Sequence, residues 1–378
     1  MNALSTAITF DDEQAMLLDT AASFCREKSP LAAVRALIDA ENGFDAGVWR
    51  EMIELGWPGV AVPERFGGVG LSLAEATTIA EPMGRHLMAT PFASTQLFVQ
   101  GVLAGASEAW QQRLLPAICA GEVGTVALSE DDGDWNLAAP DCTVTLGDTT
   151  ATLSGAKTLV CDADVARHFL VSVLLDGSPA LAVLDASALD ASRRRREIVI
   201  DETRRCFRIE LDGLELAPDA LIRGDAALNA LRAIRNAALL LFSAEAAGGI
   251  AGALDVIVDY LNLRTAFGRK IGSYQSLKHS CAEILIALER TRSHLYHAAT
   301  LMAAGENAEI ALRMAKAEAG DGLVNAGDRG VQFHGGFGFT YECDAQLYLR
   351  RGLWLQHLYG DAAHHRRRLA ELLLDPQP

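Results

Sequence analysis

At 378 residues, half of them apolar and 22% charged, the chain can bury a large core in two or three packed units, which excludes a disordered protein. Its 33 Lys and Arg stand against 49 Asp and Glu, a formal net charge of -16, which disfavours general binding to nucleic acid or to anionic membranes. Cys25, Cys119, Cys142, Cys161, Cys206, Cys281 and Cys343 show neither C-x-x-C spacing nor histidines at metal-ligand intervals, so free thiols in a reduced protein and no metal site are expected.

The opening MNALSTAITFDDEQ carries acids where an export signal needs a basic start and an apolar run, and a cytoplasmic protein is expected. From Asp11 to about Gly121 apolar residues recur at three and four, as in Glu13 to Cys25 and Ala74 to Met83, predicting an N-terminal helical domain over residues 1–122. Between its helices, Leu55 to Gly70 is punctuated by Gly and Pro as a tight, shaped connection requires.

Short β-rich runs follow at Thr125–Leu128, Thr143–Leu146, Thr150–Leu153, His168–Leu174, Ala180–Leu184, Glu197–Ile200 and Phe207–Leu211, separated by Gly, Asp and Ser. They predict a small antiparallel β domain over residues 123–222. Long helices return over Ala226–Leu263, Ser273–Ala303 and Glu306–Gln332, giving a C-terminal helical domain over residues 223–378. The fold class is therefore α+β. The most apolar stretch, Ala237–Val258, is interrupted by Glu245 and Asp255 and reads as a buried helix, not a membrane span. On it Gly248 and Gly252 lie one turn apart, so a neighbouring helix can come close to the backbone; that suits a four-helix bundle and an oligomer interface.

Three segments carry a resemblance: Val62-Pro-Glu-Arg-Phe-Gly-Gly, Arg264-Thr-Ala-Phe-Gly-Arg-Lys-Ile-Gly-Ser-Tyr-Gln and Gln332-Phe-His-Gly-Gly-Phe-Gly. Their order within a helix–β–helix architecture resembles the acyl-CoA dehydrogenases over essentially the whole chain. The resemblance implies α,β-dehydrogenation of an acyl-CoA thioester, with FAD as cofactor and an electron-transfer flavoprotein as acceptor. It also implies that Arg264, Phe267, Gln275, Gln332, Gly335 and Gly336 serve the FAD of a neighbouring subunit. Chemistry agrees: a guanidinium grips phosphate oxygens in bidentate fashion, and paired glycines let backbone N–H groups approach a diphosphate. The alternative is an interhelical ion pair for Arg264 and a helix-ending turn for Gly335-Gly336.

The departures matter as much. The family's carboxylate base sits in a C-terminal Tyr-Glu-Gly-Thr segment or in the helix ahead of the Arg-x-x-Phe-Gly segment; here those positions hold Gly360 and Ala238, neither of which accepts a proton. No catalytic residue is therefore assigned. Asp361 and Glu245 are the conceivable displaced bases, but one residue turns a side chain through about 100° and seven residues of helix span about 10 Å. A turn or capping role for Asp361 and a packing or hydrogen-bonding role for Glu245 are expected.

The family's Thr-Glu-Pro-x-x-Gly-Ser-Asp run reads Ser129-Glu-Asp-Asp-Gly-Asp-Trp-Asn136, keeping in Ser129 a hydroxyl for the flavin while Asp131, Asp132 and Asp134 add negative charge. Its Lys-x-Trp-Ile-Thr strand reads Lys157-Thr-Leu-Val-Cys161, and its later Thr-x-Gln positions hold Ala362 and His364. Contacts to a neighbour's FAD are kept, and those to the chain's own FAD and substrate are degraded.

This pattern implies the non-catalytic partner in a heteromer, a heterotetramer with a homologous subunit. The segments Leu347-Tyr-Leu-Arg-Arg and Tyr359-Gly-Asp-Ala-Ala-His-His-Arg are similar to bacterial heteromeric members that shorten steroid side chains. The rival readings are a self-sufficient homomer with a relocated base and a flavin-free scaffold. Two basic runs, Arg193–Arg196 and His364–Arg368, either meet a CoA phosphate or acidic partner or are solvated charge.

Overall fold

The computed structural model describes residues 12–40 and 42–374; the N-terminal stretch read for an export signal lies almost entirely outside them. Among the described residues six α-helices come first: α1 (Asp12–Lys28), α2 (Leu31–Ile38), α3 (Ala46–Glu54), α4 (Leu73–Arg85), α5 (Phe92–Gly105) and α6 (Glu108–Cys119). Asp45 caps α3 by accepting from the N–H groups of Gly47 and Val48, and Ser107 caps α6 by accepting from Trp110. Then come β1 (Gly124–Ala127), β2 (Thr143–Leu146), β3 (Ala151–Ser154), β4 (Ala156–Cys161), β5 (His168–Leu175), β6 (Ser178–Asp185), β7 (Arg194–Glu197), β8 (Cys206–Glu210), β9 (Leu214–Leu216) and β10 (Leu221–Ile222). After the sheets follow α7 (Asp225–Leu263), a short hairpin of β11 (Thr265–Ala266) and β12 (Arg269–Lys270), α8 (Gln275–Ala303), α9 (Glu309–His334), α10 (Ala345–His357) and α11 (Ala362–Leu374).

Packing divides these elements into two compact units. One comprises residues 35–72 and 89–238 and holds the two larger sheets. Its larger sheet runs β10-β6-β5-β2-β3-β9, with β1 also on β5. The central β5 is buried along nearly all its length, as a strand covered on both faces must be. Most pairings are antiparallel as expected, but β1 and β2 both join β5 in parallel. Each reaches β5 through a connection other than a hairpin, and connection lengths alone do not reveal strand direction.

The second sheet, β4-β8-β7, is antiparallel. Here the expected strand at Glu197–Ile200 is corrected to Arg194–Glu197. Ile198 is 97% exposed, so those isoleucines have no core to face. In the Leu55–Gly70 connection, a β-carbon on Gly68 would lie 2.0 Å from the Val62 carbonyl oxygen, and Gly67 has φ of +83°. The paired glycines of the first motif are thus required by the chain's own backbone.

The other unit comprises residues 12–34, 73–88 and 239–374 and is helical. Helix α9 lies among α8, α10 and α11. The glycines of α7 do admit a neighbouring backbone. A β-carbon on Gly248 would fall 1.8 Å from the Glu81 carbonyl oxygen and one on Gly252 2.3 Å from that of Arg85, while one on Gly84 would meet the Glu245 carbonyl at 1.9 Å. That neighbour is α4 of the same chain, which corrects the oligomer-interface reading of this stripe. The crossing is tied down at its rim, where Arg85 pairs with Asp255 at 2.7 Å and Tyr348 donates to the Arg85 carbonyl. Helix α7 is long and apolar enough to cross a membrane, but its most apolar window is 94% buried inside the protein.

Candidate functional site

Arg264, Phe267, Gln275, Gln332, Gly335 and Gly336 all belong to the helical unit, and the structure brings their two segments to one end of it. Tyr260, one turn before Arg264, stacks on His334, the residue before Gly335, with ring centroids 4.0 Å apart. The His334 ring is fixed in turn by a 2.7 Å contact from Nδ1 to the Gly330 carbonyl.

The first segment is a two-residue hairpin turn. Phe267 and Gly268 both have positive φ, +52° and +77°, as a type I′ turn demands of its central residues. Glycine tolerates this; a phenylalanine pays conformational strain there. The Phe267 ring is nevertheless 95% exposed. Tyr274 buttresses the turn by donating to the Ala266 carbonyl, with the Arg269 guanidinium 4.1 Å from its ring centroid. Lys270 donates to the Leu263 carbonyl and closes the end of α7. Arg264 and Gln275 are exposed, and among the described residues the Arg264 guanidinium has no partner. The interhelical ion pair entertained for it is not formed.

In the second segment Gly335 ends α9 at φ +62° and ψ -137°, a backbone region open to glycine alone. Gly336 has no such excuse. Its φ is not positive and a β-carbon there would meet nothing within 4 Å, so the chain's own packing does not ask for glycine. Gln332 is exposed, and so are Phe337, Phe339 and Tyr341, with Phe339 at 84%. These aromatics were not singled out from the sequence, although their alternation with glycine in Gly335-Gly-Phe-Gly-Phe-Thr-Tyr341 was the available signal.

The positions of the family's base are filled by other structure. Ala238 is buried within α7. Gly360 has φ of +101°, and a β-carbon on it would lie 2.6 Å from Cδ2 of His364 and 3.1 Å from Nε2 of His365. Lys316 donates to the Gly360 and Gln356 carbonyls at 3.0 and 3.2 Å; burial pushes its ammonium down to about 7. Burial, aided by the nearby Lys316 and Arg313 cations, pushes His365 down to about 3, keeping it neutral.

Neither displaced base is free. Asp361 accepts from the His364 N–H at 2.7 Å, capping α11, and that hydrogen bond holds its carboxyl below the usual range. Glu245 is buried and ion-paired with the fully buried Arg351.

In the other unit, the Ser129 hydroxyl is buried with no hydrogen-bond partner in the chain, while its carbonyl accepts from Thr158 N–H at 3.0 Å. An orphaned buried hydroxyl suits a ligand contact. The neighbouring polar groups are already committed. Glu197 accepts from the Thr158 hydroxyl and the Leu159 N–H at 2.7 and 2.8 Å. Glu130 pairs with the buried Lys157 at 2.5 Å and accepts from Asp141 and Cys142 N–H groups. Burial opposes its charge, but those partners outweigh burial and its pKa is lowered.

The added acids after Glu130 are corrected in part. Asp131 is paired with Arg208 at 2.6 Å, and Asp132 and Asp134 accept from backbone N–H groups two residues on, as turn residues do. In the two basic runs, Arg193 and Arg194 donate to backbone carbonyls, and Arg366 pairs with Asp321. Those three side chains are held by the chain itself. Among the described residues no cluster could hold a metal ion.

A helical segment, a sheet-bearing middle and a long helical segment with two loops displayed at one end define an acyl-CoA dehydrogenase. The comparisons agree. Residues 11–122 match the family described as "Acyl-CoA dehydrogenase, N-terminal domain" and residues 229–374 that described as "Acyl-CoA dehydrogenase, C-terminal domain". The chain is 30% identical over 354 residues to the acyl-CoA dehydrogenase IpdE2 of Mycobacterium tuberculosis, covering 91% of this chain and 92% of that one. It is 27% identical over 366 residues to IpdE2 of Mycolicibacterium smegmatis, covering 95% and 98%.

Among solved structures it is similar to a Tcur3481-Tcur3483 steroid ACAD, with 28% identity, a TM-score of 0.86 and 97% and 99% of the two chains covered. The ChsE4-ChsE5 complex from Mycobacterium tuberculosis shares the fold at a TM-score of 0.88 and 23% identity, with 98% and 99% covered. The chain belongs to the acyl-CoA dehydrogenase family.

Proposed function

We propose that this chain is the non-catalytic subunit of a heteromeric, FAD-dependent acyl-CoA dehydrogenase and completes the flavin site of a homologous, catalytic subunit. One observation carries the reading. The displayed end of the helical unit presents an uncommitted guanidinium at Arg264, an open backbone at Gly336 and a strained, exposed Phe267, while Gly360 is walled in by His364 and His365.

The residues fit a neighbour's FAD: Arg264 would grip its diphosphate, Gln275 and Gln332 would donate to it, and the Gly335-Gly336 backbone would let it come near. When bound, FAD supplies the hydride acceptor for dehydrogenation. Phe267, Phe339 and their neighbours would cover the cofactor from water, which strengthens each polar contact beneath them. The proton removed from the substrate goes to the partner's base, not to a group in this chain. An electron-transfer flavoprotein is the proposed acceptor, and the steroid-type relatives point to a steroid side chain as the acyl group.

A homomer with a relocated base is disfavoured because Glu245 is neutralised by Arg351 and Asp361 is spent as a helix cap. The test is flavin bleaching by acyl-CoA in the co-expressed complex. Replacing the partner's glutamate base should abolish bleaching, whereas Asp361→Asn and Glu245→Gln in this chain should leave it. Loss of bleaching with FAD still bound in either of the latter variants overturns the reading.

A further inference from the structure

Cys161 and Cys206 face each other across β4 and β8, with their Sγ atoms 3.4 Å apart and their Cα positions directly paired. The type of pair matters. Asp162, the next residue, donates its N–H to the Arg205 carbonyl, so positions 162 and 205 form the hydrogen-bonded pair and 161 and 206 the non-hydrogen-bonded one. In such a pair the Cα atoms approach to about 4.5 Å, inside the ~4.4–6.8 Å range that a disulfide spans. The strand also has slack, because a register shift between Lys157 and Val160 interrupts the ladder just before Cys161.

 The irregularity is visible at Leu159, whose φ is +52°.

The two thiols differ in access. Cys206 is fully buried, whereas Cys161 is half-buried. The other thiols are poor competitors: Cys343 is fully buried, burial pushes Cys25 and Cys142 up to about 12, and it also raises Cys119 and Cys281. Cys206 is raised too, first by its hydrogen bond with Cys161 and then by burial, so it suits a resolving thiol better than an attacking one.

We propose that Cys161 and Cys206 are a redox modification site that closes to a disulfide when a hydroperoxide reacts at Cys161. The Cys161 sulfur attacks a peroxide oxygen, the O–O bond breaks, and the thiol becomes a sulfenic acid with release of one water. The Cys206 sulfur then attacks the Cys161 sulfur, forming the S–S bond and breaking the S–O bond, and a second water leaves. In total the two thiols give up two electrons and two protons, and one hydrogen peroxide becomes two waters. A dithiol reductant reverses the bridge by exchange. The site stands on the geometry of the β4–β8 pair and is independent of the flavin reading.

The experiment treats the full-length, reduced protein with one equivalent of hydrogen peroxide and measures its intact mass and its peptide map. The expected result is loss of two hydrogen masses, a cross-linked peptide joining Cys161 to Cys206, and full reversal by dithiothreitol. In Cys206→Ser a dimedone adduct should accumulate on Cys161, and in Cys161→Ser residue 206 should stay reduced. A bridge between other cysteines, stable overoxidation of Cys161 in the unmodified protein, or no mass change would each overturn the proposal.

Discussion

Glu245 of α7 and Arg351 of α10 form an ion pair inside the helical unit, with the arginine wholly enclosed. Such a pair gains little over an apolar one, but removing a single partner strands a buried charge at a cost of about 3–5 kcal/mol. Arg351→Met alone should therefore lower stability by roughly that amount, and Glu245→Leu with Arg351→Met should recover most of it. Chemical denaturation of both variants checks this. Equal losses in the single and double variants would mean that the pair is not the determinant.

Restoring a glutamate at position 360 should not create a base. Gly360→Glu places a side chain at φ +101° and against His364 and His365, which should cost about 1–3 kcal/mol. Thermal unfolding should show the loss, and the complex with its partner should gain no second, substrate-reducible flavin.

Phe267 is both strained and exposed, which supports its proposed role in binding a neighbour's flavin. Phe267→Asn relieves the turn and should raise the stability of the isolated chain by about 1 kcal/mol. In the complex the same change should reduce flavin retention, as should Arg264→Ala without any change in the chain's own unfolding midpoint.

The α4–α7 crossing is the least forgiving contact described. Gly248→Ala drives a methyl group into the Glu81 carbonyl, so the helices must part and about 3 kcal/mol should be lost. The protein's urea midpoint reads this directly.

Lys316 gives a pH signature. Its folded-state pKa of about 7 lies below its ordinary value of 10.5, so the unfolded chain binds more protons in that interval and stability rises with pH through it. The window free of the raised cysteines runs from about pH 7 to 9. There the unmodified protein should gain up to roughly 1.4 kcal/mol per pH unit relative to Lys316→Met, which loses this slope along with the two carbonyl contacts.

Much of the site was legible because it depends on residue identity. That Gly360 and Ala238 carry no carboxylate needs no coordinates, and the capping role of Asp361 followed from its place beside a turn. What fills the space was not legible: His364 and His365 reach Gly360 through the local turn into α11, which no periodicity encodes. Gly248 and Gly252 announced a close approach, but the partner is α4, more than 150 residues earlier in the chain. Strand β7 was misplaced toward Ile198 and Ile200 because β-branched residues imitate a strand even where no sheet face covers them. Its true residues are Arg194–Glu197, and Arg194 is held by the Ala163 carbonyl, 31 residues earlier in the chain.

On the proposed reading this chain offers flavin contacts to a neighbour and holds no working site of its own. The visible absorption spectrum of the chain purified alone, and then co-purified with a homologous acyl-CoA dehydrogenase subunit that has its glutamate, tests it most directly. The expected result is a colourless lone chain and flavin bands in the complex at one FAD for each pair of unlike subunits. Stoichiometric flavin in the lone chain, bleached by an acyl-CoA, would contradict it.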